Sequence, residues 1–260
     1  MRRPARRELP SATRRRADVL GTPTSYTAWG PADAKEAVVL VHGLSGSTSW
    51  WSRNVAALAG RYRVYAVDLP GFGLARRNRT VRLAGAPSWL QVWMRSAGIG
   101  RAHLVAHSMG GLIALRLAAE RPDLVDRLVL AAPAGVPTGR VLAQHLPALL
   151  VEALQAPANF MPVLAHDALR AGPLTLWRAG RAILADDVQP ALSRVTAATL
   201  LVWGERDALV PLRSGWLLRQ ALPNARILVL AGAGHVVMFE QPDAFNRAVV
   251  SFLGGEVVGD

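Results

Sequence analysis

Six short apolar runs recur along the chain: EAVVLVHG, YRVYAVDLPG, RAHLVAHS, DRLVLAAP, ATLLVWGE and ARILVLAG. Each closes on glycine, proline or a polar residue. Runs of this length bounded by turn formers read as strands, and their near-continuous apolar character requires cover on both faces. The intervening segments supply that cover. WWSRNVAALAG, PSWLQVWMRSAG, MGGLIALRLAAERP, RSGWLLRQAL and FEQPDAFNRAVVSFLG all suit amphipathic helices. The alternation predicts an α/β fold, a largely parallel sheet sandwiched by helices. With 260 residues, 51% of them hydrophobic, the chain can bury one large core.

One stretch breaks the rhythm. Residues 137–192 carry helical patterns cut by proline and glycine, with no convincing strand. They read as a helical insertion that leaves one strand end, returns before the next and forms a cap over whatever sits there. Residues 18–136 and 193–260 are then the core. Residues 1–17 read as a disordered, arginine-rich arm.

The net charge of +12 invites a nucleic-acid reading, but seven arginines stand within the first sixteen residues beside one acid, Glu8. Half of the excess therefore belongs to the arm. The rest is nearly all arginine, with Lys35 the single lysine, and it is spread without clusters or interleaved aromatics. That is unlike a groove that tracks phosphates, so no nucleic-acid partner is expected. No apolar segment follows the arm and no stretch is long enough to cross a bilayer, so the expectation is a cytoplasmic protein without stable membrane insertion. Cysteine is absent, which excludes disulfides, zinc-thiolate sites and a thiol nucleophile. No metal or cofactor is expected.

Ser108 carries the first chemical signal. It follows the RAHLVAH run directly and precedes a helical pattern, and Ala106-His107-Ser108-Met109-Gly110 fits G-x-S-x-G with alanine in the first small position. Small residues are needed there because a sharp strand-to-helix turn crowds neighbouring backbone. Taken alone, Ser108 could equally serve as the helix N-cap. A hydroxyl becomes a useful nucleophile only with a base and an orienting acid. Asp207 in LLVWGERDALVP and His235 in LVLAGAGHVVMFEQP both follow strand runs, and loops at the carboxyl ends of parallel strands converge. Glu205 is the rival acid but sits nearer the strand end, where a turn would claim it. Asp68 follows the wrong strand and more naturally braces the LPGFG turn. His42, His103, His107, His145 and His166 belong to other elements.

Acyl chemistry also needs donors for the charge that develops on the carbonyl oxygen. VLVHGLSGS ends a strand on His42-Gly43, so the backbone N–H of Leu44, with that of Met109 at the helix start, is the candidate oxyanion pair. HGLSGS lacks the lysine and spacing of a phosphate loop.

VLVHG, DLPGFG, AHSMGG, VWGERDALVP and GAGHVVMFEQPDAF fall in this order across roughly Val38 to Leu253. Together they resemble the α/β-hydrolase fold with a helical cap. The resemblance implies an eight-stranded, mostly parallel sheet, with the first two strands drawn from about Val19 to Trp29. It also implies catalytic roles for Ser108, Asp207 and His235. Relatives that open epoxides or remove halogen carry aspartate at the elbow, whereas this chain has serine, and all three tyrosines precede the cap. The expectation is a carboxylesterase-like enzyme acting on small to medium esters through an acyl-enzyme, as a monomer or homodimer. Lactone cleavage, perhydrolysis and carbon–carbon bond hydrolysis of the meta-cleavage-product type are the alternatives, and a ligand receptor on the same fold is the non-enzyme one. Trp50, Trp51, Phe160, Met161, Trp177 and Val236 are the candidate substrate contacts. Arg170, Arg178 and Arg181 could receive a substrate carboxylate, but read more simply as a solvated helix face.

Overall fold

The computed structural model describes residues 11–78, 82–137 and 146–260. The first ten residues of the arm and the first part of the insertion, residues 138–145 with His145, lie outside that range.

Eight strands form one sheet: β1 (Thr13–Val19), β2 (Thr22–Trp29), β3 (Ala37–Val41), β4 (Arg63–Val67), β5 (Ala102–His107), β6 (Val125–Ala131), β7 (Ala198–Gly204) and β8 (Ala225–Leu230). Their order across the sheet is β1-β2-β4-β3-β5-β6-β7-β8. Pairings from β4 through β8 are parallel, and β1 and β2 join antiparallel at one edge. This is the expected α/β-hydrolase architecture.

Pleating sends alternate residues of each strand to opposite faces. Val39, Val41, Leu104, Ala106, Leu128, Leu130 and Leu201 pack on one side. There they meet Trp89, Leu90 and Trp93 of α2 (Ala86–Ser96) and Leu112 and Leu115 of α3 (Met109–Glu120). Val38, Leu40, Val105, Val129, Leu200 and Val202 pack on the other. Their cover there is Val55 and Leu58 of α1 (Val55–Leu58), with Phe245, Val249 and Phe252 from a C-terminal helix, residues 242–253. Every residue of β5 is buried, which explains why its sequence shows no polar alternation.

The arm is shorter than the sequence suggests. Thr13–Val19 is a strand in register with β2, from Thr13 opposite Ala28 to Val19 opposite Thr22. Ala17 and Val19 are buried while Arg14, Arg15 and Arg16 are exposed. An edge strand pairs on one side only, so it tolerates charged residues that would forbid an interior strand, and those charges discourage pairing with another chain.

Between β6 and β7 the described residues hold α4 (Leu146–Gln155), α5 (Met161–Ala171), α6 (Pro173–Leu184) and a 3-10 turn at Gln189–Arg194, and no strand. Gly172, at φ 77°, joins α5 to α6, and Pro173 opens α6. The chain closes with α7 (Leu212–Ala221), α8 (Val237–Glu240) and α9 (Pro242–Leu253). No helix among the described residues is long and apolar enough to cross a membrane.

Candidate active site

β5 ends at His107 and α3 begins at Met109, leaving Ser108 as the whole connection. Its backbone sits at φ 52°, ψ −117°, a region that side chains beyond glycine rarely occupy. The turn is held by hydrogen bonds from Ser108 N–H to the Ala131 carbonyl at 3.0 Å and from Leu112 and Ala134 N–H to the Ser108 carbonyl, both at 3.1 Å. Ser108 occupies the N-cap position of α3, but its hydroxyl makes no capping bond and is left free for other partners. Close approach of neighbouring backbone fixes the small residues here. A Cβ at Gly110 would lie 2.4 Å from the His42 carbonyl oxygen. One at Gly43 would lie 2.6 Å from His107 Nδ1 and 3.1 Å from Ser108 Cβ.

Two strand-end loops bring partners to the hydroxyl. Nε2 of His235, beyond β8, lies 3.0 Å from Ser108 Oγ, and Nδ1 lies 2.8 Å from Oδ2 of Asp207, beyond β7. The other Asp207 oxygen accepts N–H bonds from Leu209 at 3.0 Å and Val210 at 2.7 Å, which anchor the carboxylate. All three side chains are buried. Burial opposes charging of His235, but the Asp207 carboxylate, its hydrogen bond, and the charges of Glu152 and Glu240 outweigh it and raise the imidazole above the ordinary 6.5. His107 goes the other way. Its Nε2–H donates to the His235 carbonyl at 3.1 Å, and burial, then the neighbouring His235, hold it well below the usual histidine value.

Leu44 lies in the turn after β3, closed by a Gly46 N–H bond to the Gly43 carbonyl at 3.1 Å, and Met109 is the first residue of α3. Among the described residues neither amide donates to a protein acceptor. A Cβ on Gly43 would come within 3.1 Å of Ser108 Cβ, so this turn lies against the elbow.

The other sequence candidates divide. Glu205 accepts from Gly232 N–H at 2.8 Å, a bond that joins the loop after β7 to the loop after β8. Asp68 bonds Thr48 N–H and Leu74 N–H, both at 2.7 Å, and so ties the turn after β4 to the loop after β3. A cleft of about 550 Å³ runs beside Met109 and Ile113, between Phe72 and Arg82 on one wall and Leu174 and Arg178 of α6 on the other. None of the six proposed substrate contacts lines it. Trp51 is fully buried against Phe245 in the core on the α9 side, which removes it as a contact. Trp50 packs on His107 and Phe160, and Phe160 is itself fully buried. Met161 only starts α5, and Val236 gives its N–H to Glu240. Trp177 is 49% exposed beneath the Arg181 guanidinium. Arg170 lies beside His166 on α5.

Three carboxylates at the site escape sequence reasoning. Asp167 of α5 is buried, and one of its oxygens accepts from Ser47 Oγ at 2.7 Å, Trp50 Nε1 at 3.0 Å and Ser49 Oγ at 3.4 Å, so the insertion is pinned to the loop beside Leu44. Glu240 accepts from Gly234 N–H at 2.7 Å and Val236 N–H at 2.9 Å. Glu152 of α4 reaches Ala208 N–H at 2.6 Å and His235 N–H at 2.9 Å. A further cluster, Glu36, His103 and Asp126, lies at the opposite ends of the strands and has metal-ligand composition, but Arg61 and Arg101 already pair with its two carboxylates.

A family model described as the alpha/beta hydrolase family matches residues 38–248. The chain is 30% identical over 270 residues to the 2-hydroxy-6-oxo-6-phenylhexa-2,4-dienoate hydrolase of Comamonas testosteroni, covering 86% of this chain and 90% of that protein. Among solved structures, the enol-lactonase of Burkholderia xenovorans LB400 superposes with a TM-score of 0.77 at 28% identity, over 92% of this chain and 100% of that one. A membrane phospholipase A described as a bacterial virulence factor superposes with a TM-score of 0.81 at 26% identity, over 96% and 88%. These proteins are named for different substrates.

Proposed function

The chain belongs to the alpha/beta hydrolase family, and on that premise we propose that it is a serine hydrolase cleaving carboxylic esters of small to medium size. The supporting observation is the unbroken hydrogen-bonded series from Ser108 Oγ through the His235 ring to Asp207, with Ser108 released from any capping duty.

In this reading His235 Nε2 takes the Ser108 proton as Oγ forms a bond to the ester carbonyl carbon. The carbonyl oxygen becomes an oxyanion held by the Leu44 and Met109 amides, and loss of either donor raises the barrier by roughly 3 to 4 kcal/mol. The tetrahedral species collapses, the carbon–oxygen bond to the alcohol breaks, and His235 gives that alcohol its proton. Water, deprotonated by the same imidazole, then attacks the acyl-enzyme, and the imidazolium returns that proton to Oγ as the acyl carbon–Oγ bond breaks, freeing the acid and Ser108. Asp207 holds Nδ1–H and stabilises the imidazolium that forms twice per cycle. The insertion acts as a cap, and the cleft along Met109 receives one arm of the substrate. The same reading keeps the enzyme cytoplasmic, monomeric or homodimeric, acting on small molecules and not on nucleic acid.

A second reading, hydrolysis of a carbon–carbon bond in a substrate bearing a carboxylate, is favoured by one observation. Arg82 and Arg178 both line the cleft, and among the described residues neither is ion-paired. The Comamonas relative, named for a dienoate, agrees with it.

The test is a fluorophosphonate probe followed by turnover of esters of rising chain length, lactones and a dienone acid. Labelling at Ser108, with multiple turnovers of p-nitrophenyl butyrate lost in Ser108→Ala, is the expected result. Parent-level turnover in Ser108→Ala would end the serine mechanism, and preference for the dienone acid would select the second reading.

A further inference from the structure

Glu152 projects from α4 into the space between two core loops. Its Oε1 accepts the N–H of Ala208, the residue after Asp207, and its Oε2 accepts the N–H of His235 itself. One carboxylate thus ties the backbone beside the acid to the backbone of the base. The pinning is dense on the histidine side, where three consecutive amides, Gly234, His235 and Val236, are bonded by Glu240, Glu152 and Glu240 in turn. A Cβ at Gly234 would lie 2.8 Å from Glu152 Oε2, so a side chain there would push the carboxylate out of this position. Both loops could satisfy these amides with water, so the contribution of Glu152 is a fixed distance between them, set from outside the core.

We propose that Glu152 is a positioning residue, through which the seating of α4 sets the placement of the His235 imidazole against Ser108 and Asp207. The inference rests on the serine-hydrolase reading and adds a dependence of that chemistry on the insertion. Misplacing a catalytic group by about 1 Å costs on the order of a hundredfold in rate, so a contact that reaches only backbone can still govern turnover.

The experiment compares Glu152→Gln and Glu152→Ala with the parent and with Gln155→Ala, an exposed change on the same helix. The readouts are kcat and KM on p-nitrophenyl butyrate, the rate of Ser108 labelling by fluorophosphonate, the thermal midpoint and the acid limb of kcat/KM. Glutamine keeps one acceptor and turns an NH2 toward the other amide, so one contact is lost with little change of volume. The expected result is a fall in kcat and labelling rate of about ten- to a hundredfold with KM within about twofold, and Gln155→Ala behaving as the parent. The acid limb should also move to lower pH. Asp207, Glu152, Glu240 and His107 are the titratable groups around His235, and removal of the Glu152 charge takes away one that favours the imidazolium.

Parent-like kcat and labelling in both variants would overturn the proposal. So would a loss confined to KM, or a loss that follows the thermal midpoint with an unmoved acid limb. Failure of the underlying reading looks different, because there the parent itself is not labelled or Ser108→Ala retains turnover.

Discussion

The Asp207 carboxylate stands 2.8 Å from Nδ1 of His235, and its second oxygen is committed to the Leu209 and Val210 amides. Asp207→Asn therefore separates charge from shape. The amide oxygen can keep the two backbone bonds, which leaves the NH2 group facing Nδ1 and drives the imidazole proton to Nε2, where it blocks removal of the Ser108 proton. The expected outcome is a drop in kcat of about 10⁴ with a thermal midpoint near the parent's, the magnitude known for this exchange in serine proteases. Steady-state ester hydrolysis and a melting curve check it.

The pH dependence has a definite sign. In the proposed mechanism His235 must be neutral to accept the Ser108 proton, so activity should rise as pH climbs through its pKa. Burial works to lower that value, while Asp207, Glu152 and Glu240 together raise it above 6.5. The acid limb of kcat/KM, which reports the free enzyme, should have its midpoint above 6.5. Glu240→Gln should move it to lower pH. His107, held well below its ordinary value, stays neutral over the same range and adds no second limb.

Two tryptophans named together from sequence part company in energy. Trp51 has no exposed surface and packs on Phe245, so Trp51→Ala opens a cavity and should cost about 3–5 kcal/mol of folding stability. Trp177 is 49% exposed with Arg181 stacked on its ring, and Trp177→Ala should cost less than about 1 kcal/mol. Denaturant unfolding of the two variants measures the difference.

The parts legible in the sequence are those whose cause is local. Ser108 is framed by a strand, a helix start and obligatory small residues within a few positions, and Asp207 and His235 each close a strand run that can be recognised on its own. β1 begins at Thr13, ahead of the stretch from about Val19 where the resemblance puts the first two strands, because an edge strand can bear Arg14, Arg15 and Arg16 on exposed positions, a run that reads as a solvated tail until β2 is seen beside it. Glu152 and Asp167 left no signal because their partners are distant in the chain, 83 residues from Glu152 to His235 and 120 from Asp167 to Ser47. Nothing in helical periodicity distinguishes an acid that faces solvent from one that crosses to a loop. The same holds for Trp50 and Trp51, which adjoin the Leu44 turn in sequence but are buried in packing.

The two cleft arginines make the choice of substrate testable within one molecule. Asp186, which also lines the cleft, is neutralised by Arg116, so the uncompensated charge in the cleft is positive. A substrate with a carboxylate on the arm that enters the cleft gains a charged hydrogen bond that a neutral ester of equal length does not. Arg178→Gln should then lower kcat/KM for a succinate half-ester by about tenfold while leaving p-nitrophenyl butyrate within about twofold, and Arg82→Gln should act in the same direction. The difference should shrink as salt rises, because both side chains are exposed. Equal effects on the two substrates would mean that the arginines only shape the wall, and the carboxylate-bearing class would then lose its structural support.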